Sequence, residues 1–207
     1  MLTGRVNHNK DIMKKQETLN LDDEIPKGYT RVTEVLAPYK NFDNVLPEVL
    51  AHASDRGDKV HDFCDLYALN MLIEKPSEEV KPYFESFKNW FDEYVDEVIY
   101  TEKRLSHPDL FLTGQFDLLC RLKGSPALVL VDHKTPKLHE ISWRMQMAAY
   151  RFLIRELLGL EVDRRISLRL DSEGKEPKIV EYMDHAHDER LYLNQVEIYR
   201  CFYPVIK

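Results

Sequence analysis

The order of patterns along this 207-residue chain predicts a mixed α/β fold with helices laid on a sheet. Three observations carry that prediction. Residues 111–150 hold two apolar runs around the turn-rich tetrad Lys123-Gly124-Ser125-Pro126, a β-hairpin, with a helical pattern behind them. Residues 78–98 form an amphipathic helix whose Val80, Tyr83, Phe84, Phe87, Phe91, Tyr94, Val95 and Val98 make one wide apolar face. Around these the chain runs helices, strand, hairpin, helix, strand.

In chain order, residues 1–24 are polar and aperiodic and read as an N-terminal arm. The breaker Ile25-Pro26-Lys27-Gly28 follows, and residues 25–207 read as one domain. Thr33 is placed to cap a short helix ending near Pro38. Residues 48–73 look helical in two parts, the second starting near Ser54, with Val60, Phe63, Cys64, Tyr67 and Met71 as its stripe. Gly57 lies one turn before His61 on the same face, where a missing side chain lets something approach closely. In the 78–98 helix Pro82 falls in the first turn, where it is tolerated. Residues 99–105 read as a strand carrying Glu102. Residues 138–158 read as a helix with Leu138, Ile141, Met145, Ala148, Phe152 and Leu157 facing the core. A second stripe on it holds His139, Trp143, Gln146 and Tyr150, and Gly159 is a fitting C-cap. Two strands, 164–171 and 178–183, surround the turn at Ser172-Glu173-Gly174, and a weaker helix covers 187–201.

Composition narrows the class. Hydrophobic content is 43% and charged content 31%, as in a globular chain rather than a disordered one. No apolar run approaches the roughly 18 residues of a membrane span, and no signal-peptide core is visible. Cys64, Cys120 and Cys201 are scattered, an odd set without CxxC, which argues against disulfides or a zinc knuckle and for a cytoplasmic setting. The net charge of −7 argues against a generic nucleic-acid binder. Its distribution is uneven: between Lys103 and Arg169 there are 12 basic residues against 7 acidic ones, so either a local basic surface or scattered solvated charge fits.

The hairpin carries the chemistry. With a four-residue loop Leu122 faces Ala127, paired positions sum to 249, and Asp117 stands opposite Asp132. Strict alternation puts Lys134 on the face of Asp132, with Gln115 across from it. Like charges facing each other on a sheet are unfavourable, and a divalent cation between them is a natural reason for the pair. A slip of one residue would send the two carboxylates to opposite faces.

Asp117 followed by Asp132-His133-Lys134 resembles the D…(D/E)xK signature of the PD-(D/E)XK nuclease superfamily. Gln146 to Tyr150 resembles the QxxxY element of its RecB-like exonuclease branch, and Arg56-Gly57-Asp58-Lys59-Val60-His61 resembles that branch's RGxxxH. Gly114-Gln115-Phe116-Asp117 is similar to its GxxD, and Tyr29 to Thr33 to the Ser/Thr-rich segment opening such domains, as in phage exonucleases and the mitochondrial genome maintenance exonuclease. The motifs fall in family order over residues 29–183. Phe116 stands where the family name has proline, and His133 where a bulky apolar residue is usual, its side chain expected on the opposite face.

The resemblance implies a restriction-endonuclease-like core, a central mixed sheet flanked by helices, with an N-terminal helical segment. It implies a metal-dependent DNA exonuclease acting at free ends, perhaps of single strands, in recombination, repair or phage DNA metabolism, from a bacterium or phage. A non-catalytic DNA-binding or assembly subunit and a structure-selective endonuclease stand as alternatives. Asp117, Asp132, the backbone carbonyl of His133 and His61 would hold one or two Mg²⁺ or Mn²⁺ ions; no iron–sulfur cluster is expected. For His61 the bland alternative is packing at a helix–sheet boundary. Lys134 would position or deprotonate water, the alternative being a plain ion pair with Asp132. Gln146 and Tyr150 would contact the DNA backbone or support the site, or else flank a packing helix; Arg56 and Gly57 go with them. Glu102 is either a further ligand or supporting partner, or a solvent-facing strand residue. Trp143 and Tyr150 are candidates for base stacking, with core packing the commoner role for Trp143. His185-Ala186-His187-Asp188 reads as a surface turn, and Arg144, Arg151 and Arg155 as a solvated face with phosphates as the alternative.

Overall fold

A computed structural model describes residues 25–39, 45–72, 74–136 and 140–204. The elements are β1 (Thr30–Arg31), α1 (Val32–Val35), a 3-10 turn (Ala37–Tyr39), α2 (Pro47–Ala68), α3 (Lys81–Tyr94), β2 (Val95–His107), β3 (Leu112–Leu122), β4 (Leu128–Lys134), α4 (Ser142–Leu158), β5 (Arg164–Arg169), β6 (Lys178–Glu181) and α5 (His185–Phe202). The arm over 1–24, with Leu138 and His139, lies outside the described residues.

The sheet runs β1-β3-β4-β5-β6, with β2 along β3. β1–β3 and β4–β5 pair parallel, the other neighbours antiparallel. This is the mixed sheet expected of a restriction-endonuclease-like α/β fold. Each face is covered. Val32, Leu119, Leu130, Met147, Tyr150, Leu153 and Tyr192 bury one side under α1, α4 and α5. Val60, Cys64, Phe84, Phe87, Trp90, Leu118, Val131 and Ile166 bury the other under α2 and α3.

The hairpin register is the one the loop predicts: Leu118 pairs Val131, Leu119 pairs Leu130 and Cys120 pairs Val129, each summing to 249. β4 pairs with β3 from Arg121 to Leu118, while β1 takes β3 at Leu112 and Thr113. Since β2 pairs with β3 over its whole length, β1 and β4 share its other edge. Between them β3 is unpaired there, and Asp117 and Asp132 lie just where β3 and β4 part.

Several boundaries differ from expectation. The short helix α1 is closed by Glu34, whose carboxylate accepts the Arg31 N–H at 2.9 Å, not by Thr33. α2 is one unbroken 22-residue helix, so Ser54 is interior to it, and Met71 lies beyond its end, exposed. α3 stops at Tyr94, and Val95 and Val98 belong to a 13-residue strand. Trp90, outside the predicted face, is among the largest buried side chains. α4 starts at Ser142, and Ile141 is exposed rather than in the core. Of the predicted face, Ala148 is buried and Met145, Phe152 and Leu157 are partly buried against the core, and Trp143, Met147, Ala149, Tyr150, Leu153 and Ile154 are buried besides, since α5 packs on α4 as well.

The His185–Asp188 segment is the first turn of α5, with Asp184 accepting the His187 N–H. Asp188 is buried and ion-paired with buried Arg165 at 2.7 Å and with Arg144. Arg151 pairs with Glu161 and Glu189, Arg155 with Glu156 and Glu189, and Arg164 with Glu181. Arg144, Arg151, Arg155, Arg164 and Arg165 are therefore engaged with acids of α5 and its neighbours rather than simply solvated.

Candidate active site

β3 places Asp117 and β4 places Asp132, His133 and Lys134. Where the ladder ends, the Asp117 carboxylate stands in for a strand partner: its Oδ2 accepts the His133 N–H at 2.6 Å. A carboxylate at this position so satisfies a buried donor that the separating strands would orphan.

The two aspartates do not share one face in the simple way alternation implies. Phe116 packs on the α4 side, yet Leu118, two residues on, packs on the α2–α3 side. The side-chain alternation therefore slips once at Asp117. Glu102, between the pairs Thr101–Leu118 and Lys103–Phe116 of β2 and β3, has φ 44°. Such a left-handed backbone is uncommon outside glycine and marks a local irregularity of the ladder. Asp117 turns to α2, with Oδ1 3.5 Å from His61 Nδ1. Asp132 keeps to α4, with Oδ1 3.4 Å from Gln146 Nε2. The carboxylates meet the gap from its two sides, and the expectation of a face-to-face pair is corrected to that extent.

Lys134 lies beside Asp132 as expected, Nζ 2.7 Å from Oδ2, although Oδ2 receives no well-aligned hydrogen bond. Lys134 also donates to Gln146 Oε1 at 3.1 Å and sits over the Trp143 ring at 5.5 Å. Gln146 donates to Tyr150 Oη at 3.0 Å. Gln146 thus ties Lys134, Asp132 and Tyr150 together, and buried Tyr150 and Trp143 are packing residues, not base-stacking platforms. Gln115 does not lie against Lys134; it pairs with Glu102 at 2.8 Å and with Arg104.

His61 reaches from α2 to stand 3.6 Å from Glu102 Oε1, so Glu102 is part of the cluster rather than solvent-facing. Gly57 faces Thr135, but a Cβ there would meet Thr135 Oγ1 at 3.7 Å, an ordinary contact, so glycine is not sterically required. Gly114 is the crowded one: a Cβ there would come within 2.8 Å of both Tyr150 and Val32. Arg56, with its guanidinium over Tyr83, borders a cleft of about 580 Å³ together with Gly57, His61, His133, Lys134 and Gln146.

Burial and charge divide the titrations. Burial resists ionisation of Asp117, but His61 overcomes it and holds the carboxyl well below the usual range. Burial pushes Asp132 up to about 6 against the pull of Lys134, and Asp117 adds to the rise. Burial also lifts Glu102 to about 7, with His61 opposing. For His61, burial disfavours the charge, but Asp117 and Glu102 outweigh it and raise the imidazole well above 6.5. Burial lowers His133 to about 4, leaving a neutral ring.

One ligating atom each from His61, Asp117 and His133 lies within 4.8 Å of the others. Carboxylate and imidazole donors suit a divalent cation, which displaces the proton that His61 holds. The imidazole of His133 is the one member of this cluster that motif reading did not single out, because the pattern assigns that position only a carbonyl.

β3 and β4 thus bring two carboxylates and a lysine to the place where the strands part. The model of the PD-(D/E)XK nuclease superfamily matches residues 27–200, and the chain belongs to that superfamily. No curated protein matches it. Among solved structures, the crystal structure of SSO0001 is 16% identical, covers 97% of this chain and 87% of its own, and superposes with a TM-score of 0.44. A protein of Eubacterium rectale, described provisionally as an exonuclease, is 12% identical over 72% of this chain and 81% of its own, with a TM-score of 0.39. At that distance neither similarity carries functional weight. No described helix is long and apolar enough to cross a membrane.

Proposed function

We propose that the protein is a metal-dependent exonuclease that hydrolyses phosphodiester bonds from a free DNA end, single-stranded ends included. Recombination, repair or phage DNA metabolism in a bacterial or phage-infected cytoplasm would be its setting. The observation that carries the proposal is Lys134 beside buried Asp132 at the parting of β3 and β4, opening on the cleft.

Asp117, Asp132, the backbone carbonyl of His133 and His61 would hold Mg²⁺ or Mn²⁺, which supplies charge neutralisation at the phosphate and activation of water when bound. Lys134 orients the attacking water and offsets charge developing on the phosphate oxygens. Gln146, anchored by Tyr150, holds Lys134 in place. Arg56, at the rim beside Gly57, meets the backbone of the entering strand. Glu102 steadies His61 from behind.

The test is incubation with Mn²⁺ and either end-labelled linear or circular single-stranded DNA. Shortening of the linear strand with the circle intact is the expected result. Cutting of the circle would make the enzyme an endonuclease, and binding without cleavage of either would make it a non-catalytic subunit.

A further inference from the structure

The His133 side chain has no role in the proposed hydrolysis, yet it is 3% exposed and makes edge contact with Phe87 at 4.8 Å. Neither of its ring nitrogens is reached by solvent and neither makes a hydrogen bond. A buried imidazole left in that state is costly, and an apolar ring would fill the same space without the cost. Its Nδ1 lies 3.9 Å from Asp117 Oδ2, and its ring lies 5.7 Å from that of His61.

We propose that the His133 imidazole is itself a metal ligand, completing with His61 and Asp117 a site of two imidazoles and one carboxylate that selects Mn²⁺ and later divalent transition ions over Mg²⁺. Bonds of roughly 2.1 Å from one ion to each donor put the donors roughly 3–4 Å apart, so mutual distances of up to 4.8 Å need close only a little. Mg²⁺ demands oxygen donors in near-octahedral order, while imidazole nitrogen suits Mn²⁺ better and Co²⁺ better still. One of the unpaired nitrogens of His133 then has a partner, and the ring's edge contact with Phe87 fixes its direction. The proposal shares Asp117 with the nuclease reading but needs neither DNA nor cleavage to be tested.

X-ray absorption of the full chain loaded with Co²⁺, without DNA, counts imidazoles directly. Two are expected; one overturns the proposal. Calorimetry adds a second reading: Mn²⁺ binds tighter than Mg²⁺, and equal affinities overturn the selectivity. His133→Phe lowers Mn²⁺ affinity by roughly 10–100-fold with Mg²⁺ affinity unchanged and circular dichroism preserved. An unchanged Mn²⁺ affinity in that variant would leave His133 a packing residue and overturn the site. Should the variant not fold, the imidazole count on the unmodified chain decides. Two imidazoles without any DNA cleavage would uphold this site and remove the exonuclease instead.

Discussion

His61, Glu102 and Asp132 hold protons in the folded chain that an unfolded chain has released, and the consequence is a defined pH dependence. Asp132 at about 6 and Glu102 at about 7 stand above the ordinary 3.8 and 4.5, so each favours folding in acid and loses that contribution as pH rises through its folded value. Asp117 runs the other way and loses its contribution only as pH falls below the ordinary carboxylate range. His133, near 4 when folded, opposes the first pair up to pH 6.5, since the unfolded ring holds a proton that the buried one has lost. Above 6.5 that opposition ends. His61, raised well above its ordinary value, then sets the slope together with the tail of Glu102. Metal-free protein therefore loses stability between pH 6.5 and 8. Because a cation binds the deprotonated carboxylates and competes with the His61 proton, the stabilisation by Mn²⁺ grows over the same interval. Urea midpoints at pH 6.5 and 8, with and without Mn²⁺, check both signs; a metal-free midpoint that rises with pH contradicts the assignment.

Among the elements, β3 and α2 carry glycines of opposite character. Gly114→Ala forces a methyl against Tyr150 and Val32, both buried, and overpacking of this kind costs about 1–3 kcal/mol. Gly57→Ala, inside α2 with ordinary room, gains up to about 1 kcal/mol of helix propensity. Denaturant unfolding of the two variants should move in opposite directions; destabilisation by both would mean that α2 sits closer to Thr135 than described. The hairpin register was legible because Lys123–Pro126 is a short, turn-specific loop, and the register located Asp117, Asp132 and Lys134. The slip at Asp117 was not legible, since it arises with the left-handed Glu102 of a neighbouring strand and no periodicity in β3 encodes it. Ser54 resembled a cap only because helix interiors tolerate serine. The further buried side of α4 is not legible for a tertiary reason: α5, the weakest helical pattern, covers it.

For the molecule as a whole, the arginines of α4 and β5 are bound to the acids of α5, so the last helix is clamped on the sheet by charge as well as by Tyr192 and Val196. Asp188→Ala would strand fully buried Arg165, a loss of about 3–5 kcal/mol. Thermal unfolding measures it, and a loss under about 1 kcal/mol would show that water or another acid replaces the carboxylate. The same pairing engages four of the twelve basic residues between Lys103 and Arg169, Arg144, Arg151, Arg155 and Arg165, and the cleft has Arg56 and Lys134 among its wall residues. Affinity for DNA should then lean on the bound cation more than on a broad basic surface.

Cleavage of end-labelled linear DNA in Mn²⁺ by Asp117→Ala and by Lys134→Ala, beside the unaltered chain, tests the central claim most directly. Both variants should keep the circular dichroism of the parent, and Lys134→Ala should keep its Mn²⁺ affinity, while hydrolysis falls by roughly 10²–10⁴-fold. Full hydrolysis by either one would mean that the chemistry happens elsewhere than where β3 and β4 part.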